Sequence, residues 1–143
     1  MIGVALSLRQ PWAELVVAGL KPIENRGWYT THRGPLFIHA STSVDVDGLV
    51  WINDNAEQLC LPPDVRASIN CPRRELERGG LIGLVDLVGV IRASESPWFF
   101  GPYGFVLERP ARLPFLRMHG QLGVFNVAVA SSYSVRGVPP LLA

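Results

Sequence analysis

Three charged residues near the start of the chain have types and spacing that suit them for chemistry. Lys21, Glu24 and Arg26 lie within six residues, and Lys21 is the single lysine beside 12 arginines. A lysine in a partly desolvated cleft can lose its proton and become a nucleophile or base, and a charged lysine binds phosphate. A neighbouring carboxylate accepts hydrogen bonds from the amino group of a nucleobase, or serves as a general acid or base. Two structural alternatives stay open, a solvated Lys21 and a simple Glu24–Arg26 ion pair.

The spacing of the three residues sets a geometric condition on any shared site. Residues 23–29 are predicted to form a strand, whose alternation places Glu24 and Arg26 on one face, roughly 6.5–7 Å apart. Lys21 lies three residues before Glu24, so a regular strand would send it to the opposite face. It precedes Pro22, which favours an extended backbone at Lys21. Lys21 joins Glu24 only if the turn before the strand redirects its side chain.

Aromatic side chains are numerous around the charged cluster. The candidates are Trp12, Trp28, Trp98, Phe99 and Tyr103. Unpaired bases of single-stranded RNA stack on such side chains, and polar groups read the base edges. Trp98, in a loop beside Pro97, is the best stacking candidate, and Trp28 is the second. The alternative for each ring is a place in the hydrophobic core.

The other polar candidates have structural explanations of equal weight. Ser41 follows a predicted strand and either faces the cleft or caps the next helix. His39 alternates within an apolar strand, which is typical of a core histidine with its hydrogen bonds satisfied. The histidines have no partner at metal-ligand spacing, so we expect no metal site. The absence of a P-loop, a dinucleotide fingerprint and a Ser/His/Asp order predicts no nucleotide cofactor.

The composition is that of one globular domain. The 143 residues are 48% hydrophobic and 17% charged, with a mean hydropathy of +0.23. Because the chain has neither a membrane-length apolar run nor a signal-peptide pattern, we expect a cytoplasmic protein with no membrane partner. Cys60 and Cys71 are then expected to be two buried thiols, with a disulfide as the alternative. The net charge of +1 gives no general attraction to phosphate, so nucleic-acid binding must rest on a local patch or pocket.

The elements that position the cluster follow from hydrophobic periodicity and from turn residues. A two-turn helix is predicted after Pro11, ending at Gly19. Strands are predicted at 4–8, 23–29, 34–40, 81–93, 105–108 and 122–130, and further helices at 44–60 and 64–70. Gly83 and Gly89 fit a strand that bends at a barrel corner. The fold prediction is α+β, a small mixed or antiparallel β-barrel with two or three flanking helices.

The charged cluster also resembles a family signature. Gly19-x-Lys21-x-x-Glu24-x-Arg26 is similar to the GxKxxExR motif of ASCH domains, which are PUA-like β-barrels. The blocks 6–15, 33–41 and 96–105 resemble the family's opening strand and helix, its following strand and its late loop and strand. The resemblance implies a single PUA-like ASCH domain over 1–143. It also implies a cleft, beside the first helix and the motif strand, that takes RNA or a nucleotide-like ligand.

The resemblance further implies a role in RNA metabolism and suggests three hypotheses. The first is binding of RNA or a modified nucleoside by Lys21, Glu24, Arg26, Trp28, Ser41 and Trp98. The second is hydrolysis of RNA or of N4-acetylcytidine, with Lys21 and Glu24 catalytic. Family members that deacetylate N4-acetylcytidine carry Thr where this chain has Glu24. The third is a module that binds a small molecule or a protein and in which the charged cluster only stabilises the fold. The sequence leaves the oligomeric state open.

Overall fold

The computed structural model describes residues 2–71, 76–130 and Tyr133. The strands are β1 (Ile2–Gln10), β2 (Ile23–Arg26), β3 (Gly34–Val44), β4 (Gly80–Ile91), β5 (Tyr103–Arg117) and β6 (Val124–Ala128). The helices are α1 (Trp12–Val17), α2 (Val46–Asp54) and α3 (Pro63–Ile69). The other residues of the predicted 1–143 domain lie outside the described part of the chain.

The six strands form one mixed sheet in the order β2-β5-β4-β3-β1-β6. β1 runs parallel to β3, and the other neighbouring pairs are antiparallel. This confirms the predicted α+β class with flanking helices. In the described residues no backbone ladder joins the edge strands β2 and β6, so the predicted closed barrel is not confirmed. All four residues of β2 pair with β5, and β2 has no second strand neighbour within the described part of the chain.

The main core lies between the sheet and α1. Leu6 and Leu8 of β1 are buried on this side, and so are Val16 and Val17 of α1. The helix approaches β4 closely because position 83 is glycine: a Cβ there would lie 2.5 Å from Val17 Cγ2. The short helix is therefore held by close packing against the sheet and not by its own length, since isolated helices of one or two turns are unstable.

Bulges bend the two longest strands. The β4–β5 register shifts at Gly83 and again at Gly89, in agreement with the predicted bends. A further shift accommodates Arg109, whose φ is +50°, and the neighbouring Pro110. The sequence prediction ended β5 at residue 108 because proline cannot donate to a ladder. The bulge absorbs that defect, and the strand continues to Arg117.

The helix prediction for residues 44–60 was too long at both ends. Ser41 lies within β3, and Asp45 caps α2 by accepting a hydrogen bond from the Gly48 amide at 3.0 Å. The helix ends at Asp54, and the Asn55 side chain donates to the Trp51 carbonyl at 2.8 Å. Such side-chain bonds to the backbone compete with further helix.

Two smaller expectations also concern this part of the chain. Cys60 and Cys71 are free and exposed, so the expectation that they are buried was wrong. Cys60 lies in the turn after α2, and Cys71 follows the end of α3. Among the described residues no helix has the length and apolar character that a membrane crossing requires.

Replacing Ile52 by alanine should destabilise the fold far more than replacing Val50. Ile52 is fully buried beneath α2, whereas Val50 of the same helix is 56% exposed. Ile52→Ala should lower the free energy of unfolding by about 2–5 kcal/mol. Val50→Ala should change it by about 0.5 kcal/mol or less. Urea unfolding followed by tryptophan fluorescence measures both, and equal effects would contradict the packing described here.

Candidate functional site

The turn after α1 brings Lys21 to Glu24. It contains Gly19, whose φ of +81° suits glycine, and the Lys21 amide donates to the Leu15 carbonyl at 3.1 Å. The Lys21 ammonium then donates to the Ile23 carbonyl at 2.5 Å and to Glu24 Oε1 at 2.6 Å. The side chain is only 3% exposed. The geometric condition on Lys21 is therefore met by the turn, and both groups lie on one side of β2.

The Glu24 carboxylate is the centre of the cluster. Its Oε1 accepts from Lys21, and its Oε2 accepts from Arg26 Nη2 at 2.8 Å. Burial by itself would raise the pKa of Glu24, but the two cations and their hydrogen bonds outweigh burial and hold that pKa below its ordinary value. Glu24 is therefore ionised at neutral pH and acts only as a hydrogen-bond acceptor.

Arg26 connects the edge strand β2 to β1. The same Nη2 that binds Glu24 also donates to the Ser7 carbonyl at 3.0 Å. The guanidinium lies 6.0 Å from the Trp28 ring centroid. Its buried Nε has no hydrogen-bond partner among the described residues. The guanidinium thus links β2 to β1, two strands that are not neighbours in the sheet, and part of its donor capacity is unused.

One cavity, which we call the ion-pair cavity, opens over the charged cluster and has a volume of about 380 Å³. Its lining residues are Ser7, Arg9, Trp12, Lys21, Glu24, Asn25, Arg26, Gly27 and Phe100. Phe100 is 58% exposed and packs edge-on against Trp51 with ring centroids 4.9 Å apart. The cavity therefore offers an ionised carboxylate together with an accessible aromatic ring.

A second cavity of about 820 Å³, the basic cavity, shares Ser7, Arg9 and Arg26 with the first. Its other lining residues are His39, Ser41, Thr42, Gly79, Arg117, Met118, His119, Gly120, Gln121, Leu122 and Gly123. None of these lining residues is acidic. Arg9 is partly neutralised by Asp45 at 3.2 Å, whereas Arg117 has no ion-pair partner within the described part of the chain. The two cavities are neighbours that share three lining residues, and we refer to them together as the cleft.

The structure places the sequence-predicted site residues in three different environments. Lys21, Glu24 and Arg26 meet in the ion-pair cavity, and Ser41 lines the basic cavity. Trp98 is only 5% exposed and packs in the core beneath α1 and α2. Its ring therefore cannot stack on a ligand in the cleft.

Trp28 does not line either cavity. Its half-buried ring packs edge-on against Phe105 with centroids 5.3 Å apart. It acts on the cleft through its contact with Arg26 and offers no ring face to the cavities. The exposed aromatic that does line the cleft is Phe100, next to the predicted pair Trp98–Phe99 in sequence.

Several cleft residues were missed by sequence reasoning. Ser7 and Arg9 alternate with buried leucines along β1, and this polar alternation was the signal that could have found them. The sequence of segment 117–123 has no pattern that marks it as part of the cleft. The segment lies at the cleft only because β5 is long and a turn follows it. In the described residues no three His, Cys, Asp or Glu side chains converge as metal ligands.

Comparison with known proteins agrees with the motif and the fold. The model of the ASCH domain matches residues 6–112. The chain belongs to the ASCH domain family. The matched range contains the Lys21–Glu24–Arg26 cluster and most of the sheet, from β1 into β5.

Two curated relatives are similar to this chain in sequence. Human Activating signal cointegrator 1 is 31% identical over 119 residues, which cover 78% of this chain and 20% of that protein. Mouse Activating signal cointegrator 1 is 56% identical over 93 residues, 65% of this chain and 15% of that protein. The chain therefore spans a fifth or less of the length of these relatives.

Solved ASCH structures show the same fold. The crystal structure of ASCH from Zymomonas mobilis has a TM-score of 0.50 and 12% identity, covering 91% of this chain and 89% of that one. A mutant form of that protein gives a TM-score of 0.51 at 13% identity, with 87% of each chain covered. At these identities the likeness supports the fold and says nothing about the ligand.

The ion pairs of this ASCH domain predict a specific dependence of stability on pH. Because the folded-state pKa of Glu24 is lowered, its stabilisation is complete above the pKa of the unfolded state. It is lost as the pH falls through the folded-state pKa. Glu24→Gln should lower the free energy of unfolding at pH 7 by about 3–5 kcal/mol, since it leaves the buried Lys21 without its counter-charge.

The difference between wild type and Glu24→Gln should shrink as the pH is lowered, and urea unfolding from pH 7 downward measures it. Glu108→Gln is the matched control, because this glutamate of β5 is 56% exposed and its nearest cation, Arg109, is 3.9 Å away. The control should change stability by about 0.5 kcal/mol or less at any pH. A Glu24→Gln effect that is constant with pH would contradict the lowered pKa.

Proposed function

We propose that this ASCH domain binds single-stranded RNA, or a nucleotide with a modified base, in the cleft formed by its two cavities. The observation that carries the proposal is the joining of two chemically different cavities through the shared residues Ser7, Arg9 and Arg26. One cavity has cations without lining acids, and the other has an ionised carboxylate beside an exposed aromatic ring. The first environment suits the phosphate of a nucleotide, and the second suits its base.

The basic cavity suits the phosphate groups. Guanidinium groups donate paired hydrogen bonds to phosphate oxygens, and Arg9, Arg26 and Arg117 all line this cavity. Arg117 is exposed and has no ion-pair partner in the described residues. It can therefore bind a phosphate without first breaking an ion pair with a carboxylate. With a net charge of only +1 for the whole chain, this local patch supplies the electrostatic attraction.

The ion-pair cavity suits the base. Each Glu24 oxygen accepts one hydrogen bond from a cation and retains a free lone pair. An ionised carboxylate accepts from an exocyclic amino group, such as that of cytosine, and rejects a carbonyl at the same place. Phe100 at the cavity mouth provides a ring on which the base stacks. A role in RNA metabolism, expected from the family, agrees with this ligand.

Removing Arg117 should weaken RNA binding mainly at low salt. Arg117→Gln should reduce the slope of log affinity against log salt concentration by about 1, because one phosphate contact is lost. Arg66→Gln on α3, whose arginine lines neither cavity, is the matched control and should leave the slope unchanged. Fluorescence anisotropy with a short single-stranded RNA measures both variants. Equal slopes in wild type and Arg117→Gln would contradict this location of the phosphates.

Hydrolysis is the second candidate, since Lys21 and Glu24 line a cavity that opens to solvent. In that reaction Lys21 would attack or activate water, and Glu24 would carry the proton. The lowered pKa of Glu24 argues against it, because a carboxylate held ionised by two cations is a weak base near neutral pH. The Lys21 side chain is also engaged by Glu24 and by the Ile23 carbonyl, and both contacts would have to break before it could attack a substrate. Binding is therefore the first choice.

RNA and N4-acetylcytidine should be recovered unchanged after incubation with the wild-type domain. Mass spectrometry of the RNA and chromatography of the nucleoside measure this directly. Shortened RNA, or cytidine formed at a rate that Lys21→Met abolishes, would instead assign the hydrolase function. Lys21→Met retains an unbranched side chain that is one atom shorter and uncharged, and its folding is checked by circular dichroism.

A further inference from the structure

Ser7 and His39 lie side by side on the two parallel strands of the sheet. The register of β1 and β3 pairs Ser7 with His39, so their side chains point to the same face. Ser7 Oγ is 2.9 Å from His39 Nδ1. Both residues line the basic cavity, and Ser7 also lines the ion-pair cavity. A hydroxyl hydrogen-bonded to an imidazole therefore stands where the two cavities meet.

The second nitrogen of His39 determines the direction of this hydrogen bond. Nε2 is 2.8 Å from the Met118 carbonyl oxygen, which can only accept. In the neutral imidazole Nε2 therefore carries the hydrogen, and Nδ1 presents its lone pair. Ser7 Oγ–H donates to that lone pair. The carbonyl orients the ring in the way that a third group orients the base of an activated serine.

The backbone at position 120 packs closely against this pair. Position 120 is glycine, and a Cβ there would lie 2.9 Å from Ser7 Oγ and 2.8 Å from His39 Cε1. His39 is 2% exposed, whereas Ser7 is half-buried and reachable from the cavity. The backbone of β1 is fixed at this point by the Arg26 hydrogen bond to the Ser7 carbonyl. The hydroxyl is thus held in place, with its proton acceptor shielded from solvent.

We propose that Ser7 is a nucleophile activated by His39 and that this dyad cleaves carboxylic esters of phosphate-bearing alcohols, such as O-acylated nucleotides. Ser7 Oγ attacks the ester carbonyl carbon while its proton passes to His39 Nδ1. The carbon–oxygen bond to the alcohol then breaks, and the alcohol takes that proton from Nδ1. Water attacks the acyl-serine by the same route, which releases the carboxylic acid and restores the Ser7 hydroxyl.

The charges of the cavity select this substrate class. The phosphate of such an ester meets Arg9 and Arg117, and the negative charge that develops on the carbonyl oxygen is stabilised by Arg26 on the same wall. An ester is favoured over an amide because an alkoxide is a better leaving group than an amide anion, and the departing alcohol takes the proton held by His39. The Ser7 hydroxyl takes part in none of the proposed RNA contacts, whereas the phosphate of the ester would use the same Arg9 and Arg117 as the RNA phosphates.

A fluorophosphonate probe tests the nucleophile. Ser7 Oγ would attack phosphorus, fluoride would leave, and the adduct would be located by peptide mass spectrometry. We expect an adduct on Ser7 in the wild-type domain and no adduct anywhere in Ser7→Ala. Ser43→Ala, the same substitution on an exposed serine of β3, should label like wild type. His39→Gln should slow labelling by about 100-fold, the usual effect of losing a general base.

The same probe tests the substrate class by competition. Adenosine 5′-monophosphate should slow the labelling of Ser7, whereas adenosine should not. Labelling that the nucleotide fails to slow would overturn the phosphate-bearing substrate. An unlabelled Ser7, or a labelling rate unchanged in a folded His39→Gln, would overturn the dyad. If His39→Gln fails to fold, the wild-type result decides alone: selective labelling of Ser7 supports the nucleophile, and labelling spread over other serines refutes it.

Discussion

The Glu24 carboxylate and its two cations are the interaction on which the cleft depends. Lys21 and Glu24 are 3% and 8% exposed, and burying one charge without the other would be strongly unfavourable. Their pairing fixes the turn after α1 against β2. Arg26 extends the same network to the Ser7 carbonyl on β1. A four-residue edge strand that pairs with only one neighbour is thereby held where it forms a wall of both cavities.

This network also limits the chemistry that the ion-pair cavity can support. The two cations keep the Glu24 carboxylate ionised, which makes it a good hydrogen-bond acceptor and a weak base. The ion-pair cavity is therefore better suited to binding a ligand than to transferring a proton. The hydroxyl–imidazole pair lies in the basic cavity, whose lining contains no carboxylate, and its Ser7 also borders the ion-pair cavity. Arg26 lines both cavities, beside the Glu24 carboxylate in one and beside the proposed dyad in the other.

Local sequence signals predicted some elements well and others poorly. The helix after Pro11, the strand starting at Gly34 and the bends at Gly83 and Gly89 agree with the structure because each depends on backbone chemistry within a few residues. β5 was predicted too short, since its prolines are tolerated only through a bulge against β4. Trp98 was assigned to the cleft from its loop, but the packing of α1 and α2 buries it.

The sequence by itself determined the family, the α+β class and the identity of the charged cluster, because a motif and an alternation pattern are properties of neighbouring residues. Only the tertiary structure decided which side chains share a cavity. Lys21 reaches Glu24 through a turn, and the direction of that turn cannot be predicted from strand alternation. Ser7, His39 and Gly120 come together from three separate segments of the chain. Such contacts depend on strand register and on the course of the chain after β5. These are set by the packing of the whole sheet and leave no mark on any short stretch of sequence.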